Sequence, residues 1–239
     1  MHFPPSCFLI AIIFLSLGPF FGKLQGLSEK PNIIVFLVDD YDKPETSPYG
    51  GNVLTPNLDR LAKEGMICHN AHVTSTVCTP SRYTFLTGRY ASSSHSNTFL
   101  DECPEGTQAL PAFNVGLESD RMNVGRVLAD AGYATGFVGK YHVHDTDHSK
   151  EASLFGELDV QKNAKYSDQL NKRKFKLEKL QRELIKKNGF TWAKNIYWGN
   201  LKQPFKGHNP DWTANAALEF IDEHKDQPFY LHCCSTLLH

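Results

Sequence analysis

Little net charge, few cysteines and no long apolar run limit the classes to which this sequence can belong. The formal net charge over 239 residues is −1, so no overall electric field favours nucleic acid or an anionic surface as a partner. The sequence contains no internal repeat or low-complexity tract, and an apolar content of 41% indicates a globular chain. This length suits one good-sized domain or part of a larger one.

The most apolar stretch, from Cys7 to Phe21, is too short for a membrane span. A spanning helix needs roughly 20 residues, and Gly18 and Pro19 interrupt this one. Small and polar residues follow it, as at a signal-peptide cleavage site, although the first residues lack Lys or Arg. We predict a signal peptide at 1–26, a mature domain at 27–239, export and no stable membrane insertion; a retained anchor is the alternative.

Cysteine is scarce, and no Cys/His set has zinc-finger spacing. Five cysteines remain once the predicted signal is removed, namely Cys68, Cys78, Cys103, Cys233 and Cys234. An exported protein can pair some of them, but an odd number leaves one over. Either one cysteine is reserved for chemistry, or it is an ordinary free thiol.

The segment Cys-Thr-Pro-Ser-Arg, which begins at Cys78, has the features of a helix start. A hydroxyl residue followed by proline favours the first turn. The unpaired N–H groups there favour negative charge, and Arg82 adds a positive charge one turn into the helix. Such a place suits an anionic substrate and a polarised nucleophile, although Cys78 could equally be an ordinary buried cysteine.

The apolar, β-branched run at 32–38 predicts a strand buried on both faces of a parallel sheet. Asp39 and Asp40 follow it directly. Two carboxylates at the end of a buried strand are costly unless they are paired, and ligands of open α/β sheets bind at this edge. A divalent cation would satisfy both carboxylates; the alternative is that they cap a turn.

Two further predicted strands, at 133–138 and 228–234, also end near ionisable residues. Lys140 and His142 follow the first, whereas His239 follows the second. We expect these side chains at the same edge of the sheet as the two carboxylates. Each of them, considered alone, could also be a solvated surface residue.

The remaining segments predict helices, loops and one more strand. The helices begin at Thr55-Pro56 and cover 123–131 and 161–187, with another near Asp211. A short strand is expected at 66–73, and surface loops are expected at 89–116 and 192–209.

The helix at 161–187 combines an apolar stripe with a basic face. The stripe consists of Leu170, Leu177, Leu180 and Leu184. The basic residues are Lys172, Arg173, Lys174, Lys176, Lys179, Arg182, Lys186 and Lys187. A solvated face explains them, and the alternative is an electropositive approach for a sulfated polysaccharide.

Three motifs together resemble those of the type I sulfatases. The stretch from Cys78 to Gly88 resembles the family's first signature, and Gly-Tyr-Ala-Thr-Gly-Phe-Val-Gly-Lys-Tyr-His at 132–142 resembles its second. Asp39-Asp40 with the segment 55–65 is similar to its amino-terminal part. The resemblance covers 31–239 and implies an α/β fold with a mixed, largely parallel sheet flanked by helices, incomplete at its carboxyl terminus.

The resemblance also implies a sulfuric ester hydrolase whose cysteine, here Cys78, is oxidised to formylglycine by a maturation enzyme. Asp39, Asp40 and the modified residue would bind Ca²⁺. Calcium takes about six to eight oxygens, more than these residues offer. We therefore expect an amino-terminal portion of a longer protein, inactive alone and with apolar sheet surface exposed.

The family's catalytic roles carry over to four further residues. Arg82 would hold the aldehyde hydrate, and Lys140 would contact the hydrate and a sulfate oxygen. His142 would hydrogen-bond the hydroxyl that does not attack and act as a candidate base. His239 would contact sulfate near the leaving oxygen.

Two other functions fit the same sequence. One is a phosphonate or phosphate ester hydrolase of the same superfamily, and the other is a non-catalytic secreted binding protein that keeps the motif. Steroid, choline, aryl and glycan sulfates all remain open as substrates.

Overall fold

A parallel sheet forms the centre of the chain from Pro31 onward. The structure is a computed structural model that describes residues 30–145, 166–200 and 209–236. The predicted signal peptide at 1–26 and His239 lie outside the described residues. Within these ranges, no helix combines the length and the apolarity that crossing a membrane requires.

The described residues contain four strands. They are β1 (Ile33–Val38), β2 (Ala134–Lys140), β3 (Trp192–Tyr197) and β4 (Phe229–Ser235). Their order across the sheet is β1-β4-β2-β3, and every pairing among them is parallel. The predicted α/β fold with a largely parallel sheet is therefore confirmed.

The register of the sheet brings the ends of three strands to one level. Val38 at the end of β1 pairs with Ser235 of β4, and Gly139 of β2 pairs with the preceding residue, Cys234. Because the strands are parallel, the residues that follow β1 and those that end β2 meet at the same carboxyl edge.

Six α-helices lie within the described ranges. They are α1 (Pro56–Glu64), α2 (Cys78–Thr87), α3 (Asn97–Glu102), α4 (Val124–Asp130), α5 (Asp168–Lys187) and α6 (Asn209–His224). Single 3₁₀ turns occur at Lys43–Glu45, Ser47–Tyr49 and Ala91–Ser93.

Both faces of the sheet carry helices, because adjacent strand residues point to opposite sides. On one face Phe137 packs in a core with Tyr83 of α2 and Ile185 of α5. On the other face Val138 packs with Phe220 of α6. The inner strands, β4 and β2, are accordingly buried on both faces.

The prediction that the strand at 32–38 is buried on both faces is wrong, because β1 lies at the edge of the described sheet and one of its faces is exposed. Ile34 and Phe36 are 54% and 60% exposed, so the apolar sheet surface that we expected to be exposed is present among the described residues. The alternate residues of the same strand, Val35 and Leu37, pack against the core.

Three sequence predictions for local structure are wrong. The segment 66–73 forms no strand, and Met66 and Val73 are largely exposed. The predicted loop 89–116 contains α3 and buried Ser94, Ser96 and Phe99, because hydrogen bonds to its serines hold it inward. The predicted loop 192–209 begins with β3.

Helix α5 buries a different face from the one predicted. Glu178, Gln181 and Ile185 are buried, whereas Leu180 of the predicted stripe is 40% exposed. The Glu178 carboxylate accepts hydrogen bonds from the Arg182 guanidinium and from the backbone N–H of Ile196 in β3. A carboxylate can therefore occupy a buried helix position when its hydrogen bonds are satisfied.

Candidate active site

A carboxylate and two cations meet at the carboxyl edge of the sheet. Asp39 follows β1 directly and is 8% exposed. Its Oδ1 accepts a hydrogen bond from Arg82 Nη2 of α2 at 2.6 Å, and its Oδ2 accepts one from Lys140 Nζ at the end of β2. Burial alone would raise the pKa of Asp39, but these two cations together lower it below its usual value.

Lys140 is completely buried, which is rare for a lysine unless its charge is paired. Besides the contact with Asp39, its Nζ donates to Asn200 Oδ1 at 2.8 Å. Gly139 allows the strand to place Lys140 at this position. Gly139 has a φ of +90°, and a Cβ on it would overlap the carbonyl oxygen of Cys234. Glycine adopts this backbone region without steric cost.

Arg82 holds the cluster together from helix α2. Its Nη1 donates to the carbonyl oxygen of Lys140 at 3.0 Å, while Nη2 contacts Asp39. Burial would lower the pKa of Arg82, but Cys234 and then Asp39 beside it raise that pKa above its usual value. Arg82 is therefore a fixed cation that contacts the residue after β1, Asp39, and the last residue of β2, Lys140.

Cys78 is the first residue of α2, as its sequence predicts. The preceding residue, Val77, is extended, and its carbonyl oxygen accepts from the backbone N–H of Ser81 at 3.2 Å. Cys78 is half-buried, and its sulfur lies 3.1 Å from Nδ1 of His142. The cysteine thus sits at a helix N-terminus in contact with an imidazole nitrogen, a group that can accept a proton.

His142 is held in the neutral state. Burial, followed by the charges of Lys140 and Arg82, lowers the pKa of His142 to about 3. Its backbone is left-handed, with φ +54°, a conformation that costs energy for a residue with a side chain. A neutral imidazole has one N–H donor and one acceptor nitrogen, so His142 Nδ1 can donate to Cys78 or accept from it according to the tautomer.

Of the predicted site residues, Asp39, Arg82 and Lys140 form one cluster, and Cys78 and His142 form a contact beside it. Asp40 adjoins Asp39 but is exposed, with a left-handed backbone at φ +50°. His239 lies outside the described residues.

The sequence did not identify three residues that contact this site. Asn200 binds Lys140, Cys234 lies beside Arg82, and Trp198 packs edge-on against His142 at 4.4 Å between ring centroids. Trp198 and Asn200 follow β3 closely, so the rule that residues after a strand form the site would have found them if β3 had been recognised.

Among the described residues, no group of three His, Cys, Asp or Glu side chains is arranged to hold a metal ion. Both oxygens of Asp39 already accept hydrogen bonds from cations, and a calcium ion takes about six to eight oxygen ligands.

The Sulfatase family model matches residues 31–239. The chain belongs to the sulfatase family. This sulfatase chain is 34% identical over 140 residues to an N-acetylglucosamine-6-O-sulfatase of Bacteroides thetaiotaomicron, covering 58% of the chain and 23% of the relative. It is 36% identical over 130 residues to human steryl-sulfatase, covering 52% and 21%. The matched part of each curated relative is therefore about a fifth of its length.

Solved structures share the fold of the sulfatase chain. BT4656, solved in complex with D-glucosamine-2-N,6-O-disulfate, aligns with a TM-score of 0.52 and 21% identity, covering 88% of this chain and 35% of that one. Phosphonate monoester hydrolase of Agrobacterium radiobacter aligns at 0.51 and 19%, covering 87% and 41%. The fold alone thus does not separate sulfate esters from phosphonate esters as substrates.

Proposed function

We propose that this chain carries the nucleophile side of a sulfuric ester hydrolase site. The observation that supports it most is the convergence of a helix-terminal cysteine, a neutral histidine and two buried cations. Cys78 Sγ lies 3.1 Å from His142 Nδ1, and Arg82 bonds the backbone of Lys140, two residues before that histidine. Membership of the sulfatase family gives this set its chemical meaning.

The two cations suit sulfuryl transfer. Charge spreads over the sulfuryl oxygens as the leaving oxygen departs, and fixed cations nearby stabilise that charge, as in phosphoryl transfer. Lys140 and Arg82 are buried and held by Asp39, so their charges are in place before an anion arrives. Lys140 would contact a sulfate oxygen, and Arg82 would orient residue 78.

We further propose that Cys78 is oxidised to formylglycine by a maturation enzyme. The hydrate of that aldehyde offers two hydroxyls on one carbon, one to attack sulfur as the alcohol departs and one to drive release of sulfate. A serine hydroxyl could perform only the first half and would remain sulfated. His142, whose Nδ1 contacts the side chain at position 78, would accept the proton of the second hydroxyl.

Calcium remains part of the proposal. Asp39, Asp40 and the modified residue 78 would provide oxygens for it, and water or other groups would complete the coordination. A bound cation there would polarise the attacking hydroxyl. Binding would require Asp39 to share its carboxylate between the ion and its present partners, Arg82 and Lys140. Asp40→Asn should weaken Ca²⁺ binding in calorimetry; an unchanged affinity would remove Asp40 from the site.

A sulfated glycan is the substrate class we propose. The B. thetaiotaomicron relative is named for a sulfated amino sugar, and BT4656 was solved with one. Export through the predicted signal peptide would bring the chain to such polymers. A sulfated steroid is the alternative that the human relative represents.

Anion binding by the purified chain tests the site without requiring turnover. A ligand that binds only the folded state stabilises it by about 2.7 kcal/mol at 100 times its dissociation constant. We expect inorganic sulfate to raise the unfolding temperature and Lys140→Met to abolish the effect. Lys194→Met is the matched control, because Lys194 of β3 pairs with Glu219 of α6 instead.

Each outcome of that titration has a distinct meaning. Saturable stabilisation by sulfate that survives Lys140→Met would contradict the proposed site, since the general effect of sulfate as a salt does not saturate. Stronger stabilisation by phosphate, with faster turnover of an aryl phosphate than of the matched aryl sulfate, would favour the phosphate ester hydrolase. Sulfate release by the purified chain would refute only the expectation that it is inactive alone.

A further inference from the structure

A cavity of about 390 Å³ borders His142. Its walls include Phe113, Trp198, Glu102 and Asn114. The volume lies within the range of about 300–1,000 Å³ that small-molecule sites occupy. His142 belongs both to this cavity and to the contact with Cys78, so a molecule in the cavity lies one side chain away from the nucleophile.

Two exposed aromatic side chains flank that histidine. The ring of Phe113 lies 5.5 Å from the His142 ring at an interplanar angle of 34°, and Trp198 meets the same ring edge-on at 85°. Phe113 and Trp198 are 60% and 37% exposed. Aromatic side chains that remain exposed around a cavity offer apolar faces to a ligand ring.

The cavity also has a charged hydrogen-bonding wall. Asn114 is buried, and its Nδ2 donates to Glu102 Oε2 at 2.7 Å. The other end of the same amide is fixed as well, because the backbone N–H of Ala112 donates to Asn114 Oδ1 at 2.8 Å. Glu102 is itself exposed, and the hydrogen bond from Asn114 directs its carboxylate, which accepts hydrogen bonds from hydroxyls and repels anions.

We propose that this cavity binds the sugar ring that bears the sulfate ester, and that Glu102 selects against a second sulfate on that ring. The inference rests on the proposed function and names its substrate more closely. A pyranose has C–H faces for Phe113 and Trp198 and hydroxyls for Glu102. A steroid would press apolar surface against the Glu102 carboxylate, which is unfavourable.

Ligand titrations of the full chain test this assignment, with binding followed by ligand-observed NMR. The probes are N-acetylglucosamine, its 6-sulfate, glucosamine 2-N,6-O-disulfate, a steroid sulfate and inorganic sulfate. We expect the monosulfated sugar to bind at least about tenfold more tightly than the disulfated sugar or the steroid sulfate, a difference of about 1.4 kcal/mol.

Two variants test the aromatic wall and the carboxylate wall of the cavity separately. Phe113→Ala should weaken binding of both N-acetylglucosamine and its 6-sulfate about tenfold, while leaving inorganic sulfate unchanged. Glu102→Gln should remove most of the discrimination against the disulfated sugar. The controls are Phe175→Ala and Glu183→Gln on α5, which are exposed residues outside the cavity wall.

The results distinguish this inference from the proposed function. If the chain binds no inorganic sulfate, the proposed function is overturned. Binding of unsulfated N-acetylglucosamine tests the cavity independently of that result, because this sugar carries no sulfate. Equal affinity for mono- and disulfated sugars, tighter binding of the steroid sulfate, or sugar binding that Phe113→Ala leaves unchanged would overturn the sugar assignment.

Discussion

Replacing Asp39 by asparagine should damage the protein far more than the same replacement at Asp40. Asp39 is buried and holds Arg82 and Lys140, which are themselves buried. Asp39→Asn keeps the shape but leaves two interior cations facing a neutral amide. Breaking a buried ion pair by removing one partner costs about 3–5 kcal/mol. Asp40 is exposed, so Asp40→Asn should change stability by about 0.5 kcal/mol or less.

Urea denaturation at pH 7 in the presence of a chelator measures this difference. The midpoint should fall at an unchanged slope, since the surface exposed on unfolding stays the same. At about 2–4 °C per kcal/mol for a domain of this size, Asp39→Asn should lower the unfolding temperature by roughly 6–20 °C.

The pH dependence gives a second measure of the same ion pairs. The pKa of Asp39 is lowered in the folded protein, so its contribution is present above the unfolded-state pKa and is lost as the pH falls through the folded-state pKa. The gap between wild type and Asp39→Asn should therefore narrow in acid. Equal costs for the two asparagine variants at pH 7 would refute the assignment of Asp39 as the anchor of the cluster.

Three other predictions concern the support of the site. Burial and then the Arg82 charge lower the pKa of His232 to about 3. Because the unfolded chain binds this proton more readily, the free energy of unfolding should fall by up to about 2 kcal/mol from pH 6.5 to 5. His232→Phe should reduce this dependence of stability on pH, as measured by urea denaturation at several pH values. Gly139→Ala should cost about 1–3 kcal/mol more than Gly50→Ala in denaturation, because both have positive φ but only Gly139 faces a backbone oxygen. Glu118→Gln should cost about 1–3 kcal/mol by the same measurement, since this buried carboxylate accepts hydrogen bonds from the Tyr83 hydroxyl, the Ser94 hydroxyl and the His95 backbone N–H. A cost below about 0.5 kcal/mol would contradict that role.

The positions of the strand ends were predictable because all strands of a parallel sheet end at the same edge. Each of two apolar runs ends near an ionisable residue, Asp39 in one and Lys140 in the other, which predicted that both residues lie at the same edge of the sheet. The structure places the two side chains in contact. The helix start at Cys78 was equally predictable, because proline and hydroxyl residues favour a first turn.

Strand β3 was not predictable from its residues. It contains Lys194 and Asn195, which are poor strand formers, and the pairing with β2 shifts register near Asn195, whose φ is +54°. Tertiary contacts compensate, because Lys194 pairs with Glu219, and Asn195 donates to the carbonyl oxygen of Trp212. Such long-range partners leave no local pattern in the sequence.

The two ion pairs that Asp39 forms were not predicted from the sequence. Two adjacent carboxylates suggested a metal ion as the group that offsets the cost of their burial. In the structure Asp39 is satisfied by Arg82 and Lys140, residues 43 and 101 positions away. An ion pair between residues so far apart in sequence cannot be predicted from a local pattern, whereas two adjacent carboxylates can be recognised directly.

The state of side chain 78 tests the central claim most directly. The chain should be produced together with a formylglycine-generating enzyme, and the tryptic peptide 64–82 should be examined by mass spectrometry and with an aldehyde-reactive aminooxy probe. We predict an aldehyde at residue 78 that the probe labels and that Cys78→Ala lacks. An unmodified thiol, under conditions that convert a known sulfatase in the same cells, would contradict the account and favour a non-catalytic binding protein.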